Sequence, residues 1–139
     1  MQEKSRYMEE NKDIIYDSKT SLTWAAKDSR QELEKDLTWD EAQSYKTSKN
    51  GEKLGGYSDW RIPTIQEALS LFDPNRANKD FKGGEIHIDS IFPLGAGFCT
   101  WTSSEREREA QIIFYLNGCA YWYEKNDNTI SHSVRLVRR

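Results

Sequence analysis

Apolar positions in this chain fall into short clusters separated by polar runs, and the spacing within each cluster names an element. Residues 13–16 and 22–25 read as two strands of a hairpin, with Asp17, Ser18, Lys19 and Thr20 supplying the turn. Thr38 and Glu41 form a capping box, and Trp39, Ala42 and Tyr45 follow at helical spacing, so a helix runs from there to Asn50-Gly51. A second box, Thr64 with Glu67, opens a helix whose apolar face is Ile65, Ala68, Leu69 and Phe72; Asp73-Pro74 stops it. Residues 75–85 are polar and glycine-bearing, as in a long surface loop. Strand-like runs then follow at 86–91, 98–102, 111–116, 120–124 and 133–138, with turns at 105–109, 117–118 and 126–128. Residues 27–35 are charged and aperiodic and read as a loop. Residues 1–12 read as a polar lead-in or linker, leaving 13–139 as a single domain. Helices early and antiparallel strands late argue an α+β fold, two helices packed on antiparallel sheets.

Composition sharpens this picture. With 139 residues there is room for one core, which buries about 70% of the unfolded surface. Only 36% of residues are hydrophobic and 31% are charged, so the core must be built from few, large side chains, five Trp and seven Tyr among them. A net charge of -3 argues against nucleic acid as a partner, and no apolar run is long enough for membrane insertion as a helix. His87 and His132 stand alone, without further ligands at metal-binding spacing, and no Gly-rich phosphate loop, G-x-S-x-G or H-E-x-x-H occurs. The expectation is a protein that is not an enzyme and needs no cofactor.

Residues 55–64, Gly-Gly-Tyr-Ser-Asp-Trp-Arg-Ile-Pro-Thr, concentrate several constraints in one corner. The glycines allow positive φ or close backbone approach, Trp60 brings a large apolar body, Pro63 forces Ile62 to be extended, and Thr64 starts a helix. This stretch resembles the core of the bacterial Lcl C-terminal domain family, named for the terminal domain of a collagen-like surface adhesin. The likeness continues through Asp17, Thr20, Leu22 and Trp24, then 37–42 (Leu-Thr-Trp-Asp-Glu-Ala), Ile88-Asp89 with Phe92-Pro93, Trp101-Thr102-Ser103-Ser104 and the closing 134–138. It implies a C-type-lectin-like fold and a non-catalytic recognition module at the cell surface or secreted, with a glycan or protein ligand. The family's usual cysteine pair falls near Lys46 and Leu136, where this chain has none, so Cys99 and Cys119 are expected as free, partly buried thiols.

Three sets of candidate site residues follow. Laid on the family pattern, Ile113 and Tyr115 point inward, so Ile112, Phe114 and Leu116 occupy the other face of the strand, where a half-solvated strand is normally polar. With Tyr121 and Tyr123 from the next strand they would form an apolar, aromatic patch for a ligand or subunit interface, a trimer by analogy with the adhesin, unless the 75–85 segment covers it. Arg106 and Arg108 offer a local anion-binding spot, offset by Glu105, Glu107 and Glu109. Asp73-Pro74-Asn75 has the form of a lectin calcium triplet, though a matching Trp-Asn-Asp element is missing and Asp-Pro is also an ordinary helix stop. Finally, Ile112, Phe114, Leu116, Cys119, Tyr121 and Tyr123 are all reachable from asparagine codons by adenine mutation. Retroelement-diversified receptor-binding proteins, which use C-type-lectin-like scaffolds, would carry such residues, and a plain hydrophobic interface gives the same list.

Overall fold

In the computed structural model, which describes residues 5–139, the chain opens with strand β1 (Tyr7–Asn11) beside the hairpin of β2 (Ile14–Asp17) and β3 (Leu22–Ala25). The hairpin turn is held by the buried Asp17 carboxylate, which accepts from the Lys19 amide and the Thr20 hydroxyl and pairs with Arg6 at 2.7 Å. Part of the expected lead-in is therefore a sheet edge: Tyr7 pairs with Asp17 in register and its ring is buried against Phe92. Its polarity misled because four of the strand's five residues face solvent. The first four residues of that lead-in lie outside the described part.

Helix α1 (Ser29–Leu33) follows where a loop was expected, because Asp28 and Gln31 form a reciprocal capping box that is hard to see in a charged run. Helix α2 (Trp39–Glu52) starts at the Thr38 box and ends two residues beyond Asn50, at Glu52, followed by Lys53, whose φ of 56° makes the left-handed cap. A single 3₁₀ turn (Leu54–Gly56) leads into the corner. Gly55, at φ +63°, sits against the Ile14 side chain where a Cβ would collide. The Asn50 side chain brackets the Trp60 backbone on both sides, and the buried indole of Trp60 donates to the Leu54 carbonyl at 2.9 Å. Helix α3 (Ile65–Ser70) starts at Thr64, and its Glu67 forms a forked pair with Arg61. Asp59, placed in the corner by sequence, instead holds Arg138 near the C-terminus, with Nε to Oδ1 at 2.6 Å.

The expected long loop carries a small ladder, β4 (Asn78–Lys79) with β5 (Glu85–Ile86), so the strand expected over 86–91 is reduced to its first residue. Strands β6 (Cys99–Arg106), β7 (Glu109–Phe114) and β8 (Ala120–Glu124) form an antiparallel meander. Strand β9 (Val137–Arg138) returns to β3, completing a sheet of order β1-β2-β3-β9 with the first and last strands of the described chain at its two edges. Among the described residues the architecture is α+β, three α-helices with three antiparallel sheets.

Two cores flank the meander. One gathers Trp24, Leu71, Ile88, Phe92, Ile113 and Tyr115; the other gathers Trp60, Trp101, Leu136, Val134 and Ile112. A period-two strand apolar on both faces is what a strand between two cores requires. Thus β7 is a buried partition where Ile112 and Ile113 sit.

Candidate aromatic recognition face

The expected exposed row of Ile112, Phe114 and Leu116 divides three ways. Ile112 is wholly buried, 0% exposed, in the Trp101 core, so it cannot touch a ligand. That corrects the expectation, and the reason is the second core just described. Phe114 is half-buried at the strand end, and Leu116, just past it, is 61% exposed.

Around Phe114 the chain assembles an aromatic stack. Its ring lies parallel to Phe98 (5.9 Å, 6°), and Phe98 in turn stacks on Phe81 (6.4 Å, 20°). The Arg30 guanidinium closes the far end, 3.9 Å from the Phe81 centroid. Tyr121 and Tyr123 meet Phe114 edge-on at 5.2 and 6.3 Å. Tyr121 is 43% exposed, whereas Tyr123 is half-buried because His132 packs against it. The 75–85 segment therefore covers only one end of this face, with Phe81, and leaves the Leu116–Tyr121 end open. Phe81, Phe98 and Arg30 were not singled out from sequence, since they come from three separate segments and no local spacing links them.

The loops bearing these rings are tied down by buried polar bonds. The Asp28 carboxylate accepts from the Gly97 amide at 2.8 Å and Ser133 Oγ donates to the Cys99 carbonyl at 2.7 Å; nearer the surface, Gln31 donates to the Pro93 and Leu94 carbonyls. Burial raises the Asp28 carboxyl above its usual range despite Arg135 nearby. Arg135, also buried, donates to the Ala25 and Ala26 carbonyls and lies over the Phe92 ring.

His132 anchors the segment behind Tyr123. Its ring stacks on Trp101 (4.4 Å, 24°), Nε2 lies 2.7 Å from Asp127 Oδ2, and Nδ1 is buried without a partner. An Nε2–H tautomer donating to the carboxylate fits this geometry. Burial pulls the imidazole below its ordinary pKa, outweighing the opposing pull of Asp127. Burial also works to raise Asp127, but the bonds from His132 and Thr129 more than offset it and hold the carboxyl low.

The remaining candidates lie elsewhere. Arg106 pairs with Glu109 and stacks on Trp122 at 4.2 Å, and Arg108 is exposed on the β6–β7 turn. That turn is at the opposite end of β7 from Leu116, about 26 Å away at strand rise, and Trp122 alternates to the other face from Tyr121 and Tyr123. The structure thus joins Phe114, Leu116, Tyr121 and Tyr123 but not the arginines. At the calcium triplet, Asp73 Oδ1 accepts from the Asn75 amide in a local turn, and the Arg76 guanidinium stands 3.9 Å from both Asp73 and Asp89. A cation already sits where calcium would need open carboxylates, and no group of three metal-binding side chains occurs among the described residues. Both cysteines are free. Cys99 is buried, its thiol pushed up to about 12 by desolvation, while Cys119 is exposed on the β7–β8 turn rather than partly buried.

A family model described as the Lcl C-terminal domain matches residues 13–138. The chain belongs to the Lcl C-terminal domain family. No curated protein and no solved structure matched it. The matched span of this Lcl C-terminal domain contains the corner at 55–64, every ring of the aromatic stack and both cores apart from Tyr7. No helix among the described residues is long and apolar enough to cross a membrane.

Proposed function

We propose that this Lcl C-terminal domain is a non-catalytic recognition module of C-type-lectin-like fold that binds a cell-surface glycan or protein through the face around Phe114. One observation carries the reading: Leu116 and Tyr121 stay exposed beside a ring stack whose loops are fixed by buried polar bonds. Solvent-exposed aromatic surface on a rigid support favours stacking on sugar rings or anchoring a protein side chain, because little ordering entropy is lost on binding. The Cys99 thiol, buried and hard to ionise, is a poor nucleophile, in keeping with this reading. The test is binding of the labelled domain to a broad glycan array, with calcium and with chelator, repeated with Tyr121→Ala. Specific binding lost in the variant supports the glycan form, and a blank array in both buffers turns the search to protein ligands.

A second reading is favoured by one pattern. Leu116, Cys119 and Tyr121, reachable from asparagine codons, are exposed around a single turn, the arrangement a diversified receptor-binding protein would use. A reverse transcriptase and a near-copy repeat beside the gene would support it.

A further inference from the structure

The meander has two edges, and only one is closed. On the β6 side, Trp101 N–H donates to the Ser133 carbonyl, Ser103 N–H to the Pro63 carbonyl, and Arg135 N–H to Thr100 Oγ1. On the β8 side the hydrogen-bond alternation can be read from the hairpin ends. Phe114 N–H donates to the Cys119 carbonyl and Lys125 N–H to the Arg108 carbonyl, so 119, 121, 123 and 125 face β7 and Ala120, Trp122 and Glu124 face outward. Of these outward groups, the Glu124 carbonyl is taken by Asp127 N–H in the following turn. The amides and carbonyls of Trp122, the Ala120 carbonyl and the Glu124 amide have no protein partner among the described residues. Past Glu124 the edge ends where Trp39 N–H reaches the Lys125 carbonyl. The open stretch is about 17 Å long.

Strand edges of this kind are normally blunted. Strand β1, an outer edge of the other large sheet, carries Glu9, Glu10 and a register shift between Glu9 and Asn11. Strand β8, Ala-Tyr-Trp-Tyr-Glu, has no proline, no lysine and no bulge. We propose that β8 pairs antiparallel with β8 of a second copy of this chain about a two-fold axis through Trp122, joining two meanders into one continuous sheet. This goes beyond ligand recognition and does not rest on it.

The sequence of β8 is self-complementary in that register. Trp122 exchanges both backbone bonds with Trp122 of the second copy, and each Glu124 amide donates to the opposite Ala120 carbonyl. The one charged side chain of the strand meets alanine rather than its own copy, so no like charges oppose. Tyr121 of each copy lies beside Tyr123 of the other on a common face, which extends the Phe114 aromatic surface across the axis; the two Trp122 rings meet on the reverse face with Arg106 over each. An isologous contact of this kind closes on itself and stops at two copies. A five-residue strand buries less than a standard interface, so the dimer is expected to be weak and concentration-dependent.

The test is sedimentation of the full chain over a concentration series, with amide exchange followed by NMR at the two ends of the series. The expected result is a dimer on concentrating, in which Trp122 and Glu124 amides turn from fast to slow exchange while Tyr121 and Tyr123 amides stay slow throughout. Glu124→Pro removes an outward amide without touching a bond to β7, so it should abolish the dimer and leave the unfolding midpoint unchanged. A monomer at every concentration, or a dimer in which Trp122 and Glu124 amides still exchange fast, overturns the proposal. If the proline variant misfolds, the exchange pattern of the unaltered chain decides alone.

Discussion

Replacing His132 by phenylalanine should flatten the acid side of the stability profile. The ring is 1% exposed between Trp101 and Tyr123, and its folded pKa is depressed by burial from an ordinary value of 6.5. Between the unfolded pKa and the lower folded one, the unfolded chain binds more protons than the folded chain, so stability falls as pH falls. The contribution is fully present above about pH 6.5 and is lost on going down through that window, at no more than about 1.4 kcal/mol per pH unit. Asp127, facing the same nitrogen, is held below 3.8 in the fold, so its own contribution persists until pH drops below that value and does not overlap. Asp28 has the opposite sign, its raised folded pKa favouring the fold on acidification, and it is common to both chains and cancels in their difference. His132→Phe keeps the ring packing, removes the buried unpartnered Nδ1 and gives up the bond to Asp127, for a net cost near about 1 kcal/mol at about pH 8. Urea unfolding of both chains from about pH 8 to about pH 5 measures the difference. The gap between them should narrow on acidification. A gap that stays constant across the range would refute the claim that His132 is held neutral by burial.

Phe98→Ala removes the middle ring of the stack and a contact shared by both cores; for a half-buried Phe with two ring partners the cost should be about 2–3 kcal/mol in urea unfolding, and Phe98→Leu should recover more than half of it. In native protein a thiol reagent should label Cys119 and spare Cys99, both becoming labelled in denaturant, as read by intact mass. Asp73→Ala should cost about 0.5–1 kcal/mol through the lost turn bond to Asn75, by the same amount with calcium or with chelator; a calcium-dependent difference in melting temperature would restore the triplet as a metal site. Ile112→Asn should cost more than about 3 kcal/mol, whereas Leu116→Asn and Tyr121→Asn should stay within about 0.5 kcal/mol, which thermal melts of the three variants will separate.

What could be read from the chain was whatever is encoded over four or five consecutive residues. Both Thr-to-Glu capping boxes, the hairpin at 14–25 and the Asn117-Gly118 turn are local chemistry, and the structure places each where its spacing put it, whereas the helix expected to reach Phe72 before Asp73-Pro74 already ends at Ser70. The misses have different causes. Strand β1 is a polar segment fixed by the Arg6–Asp17 pair, which no local pattern records, whereas helix α1 does carry a local signal, the Asp28–Gln31 box, masked by the charged residues around it. Ile112 was misassigned because alternation along a strand tells which residues share a face, not whether a second layer lies on that face. The same limit hid Phe81 and Phe98, whose parallel rings meet only after three segments converge.

The arrangement of β7 explains why the proposed recognition surface sits where it does. Over Ile112 and Ile113 the strand is sealed on both sides, and substitution there must disturb one of two cores. At its C-terminal end, where the strand runs out past the second core, apolar side chains gain exposure, and that is where Phe114, Leu116 and Tyr121 gather. The turn that follows is fixed by backbone bonds from Gly118 and Phe114 and by Asn117 Oδ1, which accepts from the Cys119 amide, with Gly118 at φ +72° packed against the Phe72 ring. A surface held by backbone and by buried bonds one layer beneath can change its exposed side chains without losing its shape. Such a surface is suited to altering what it binds while the scaffold stays the same.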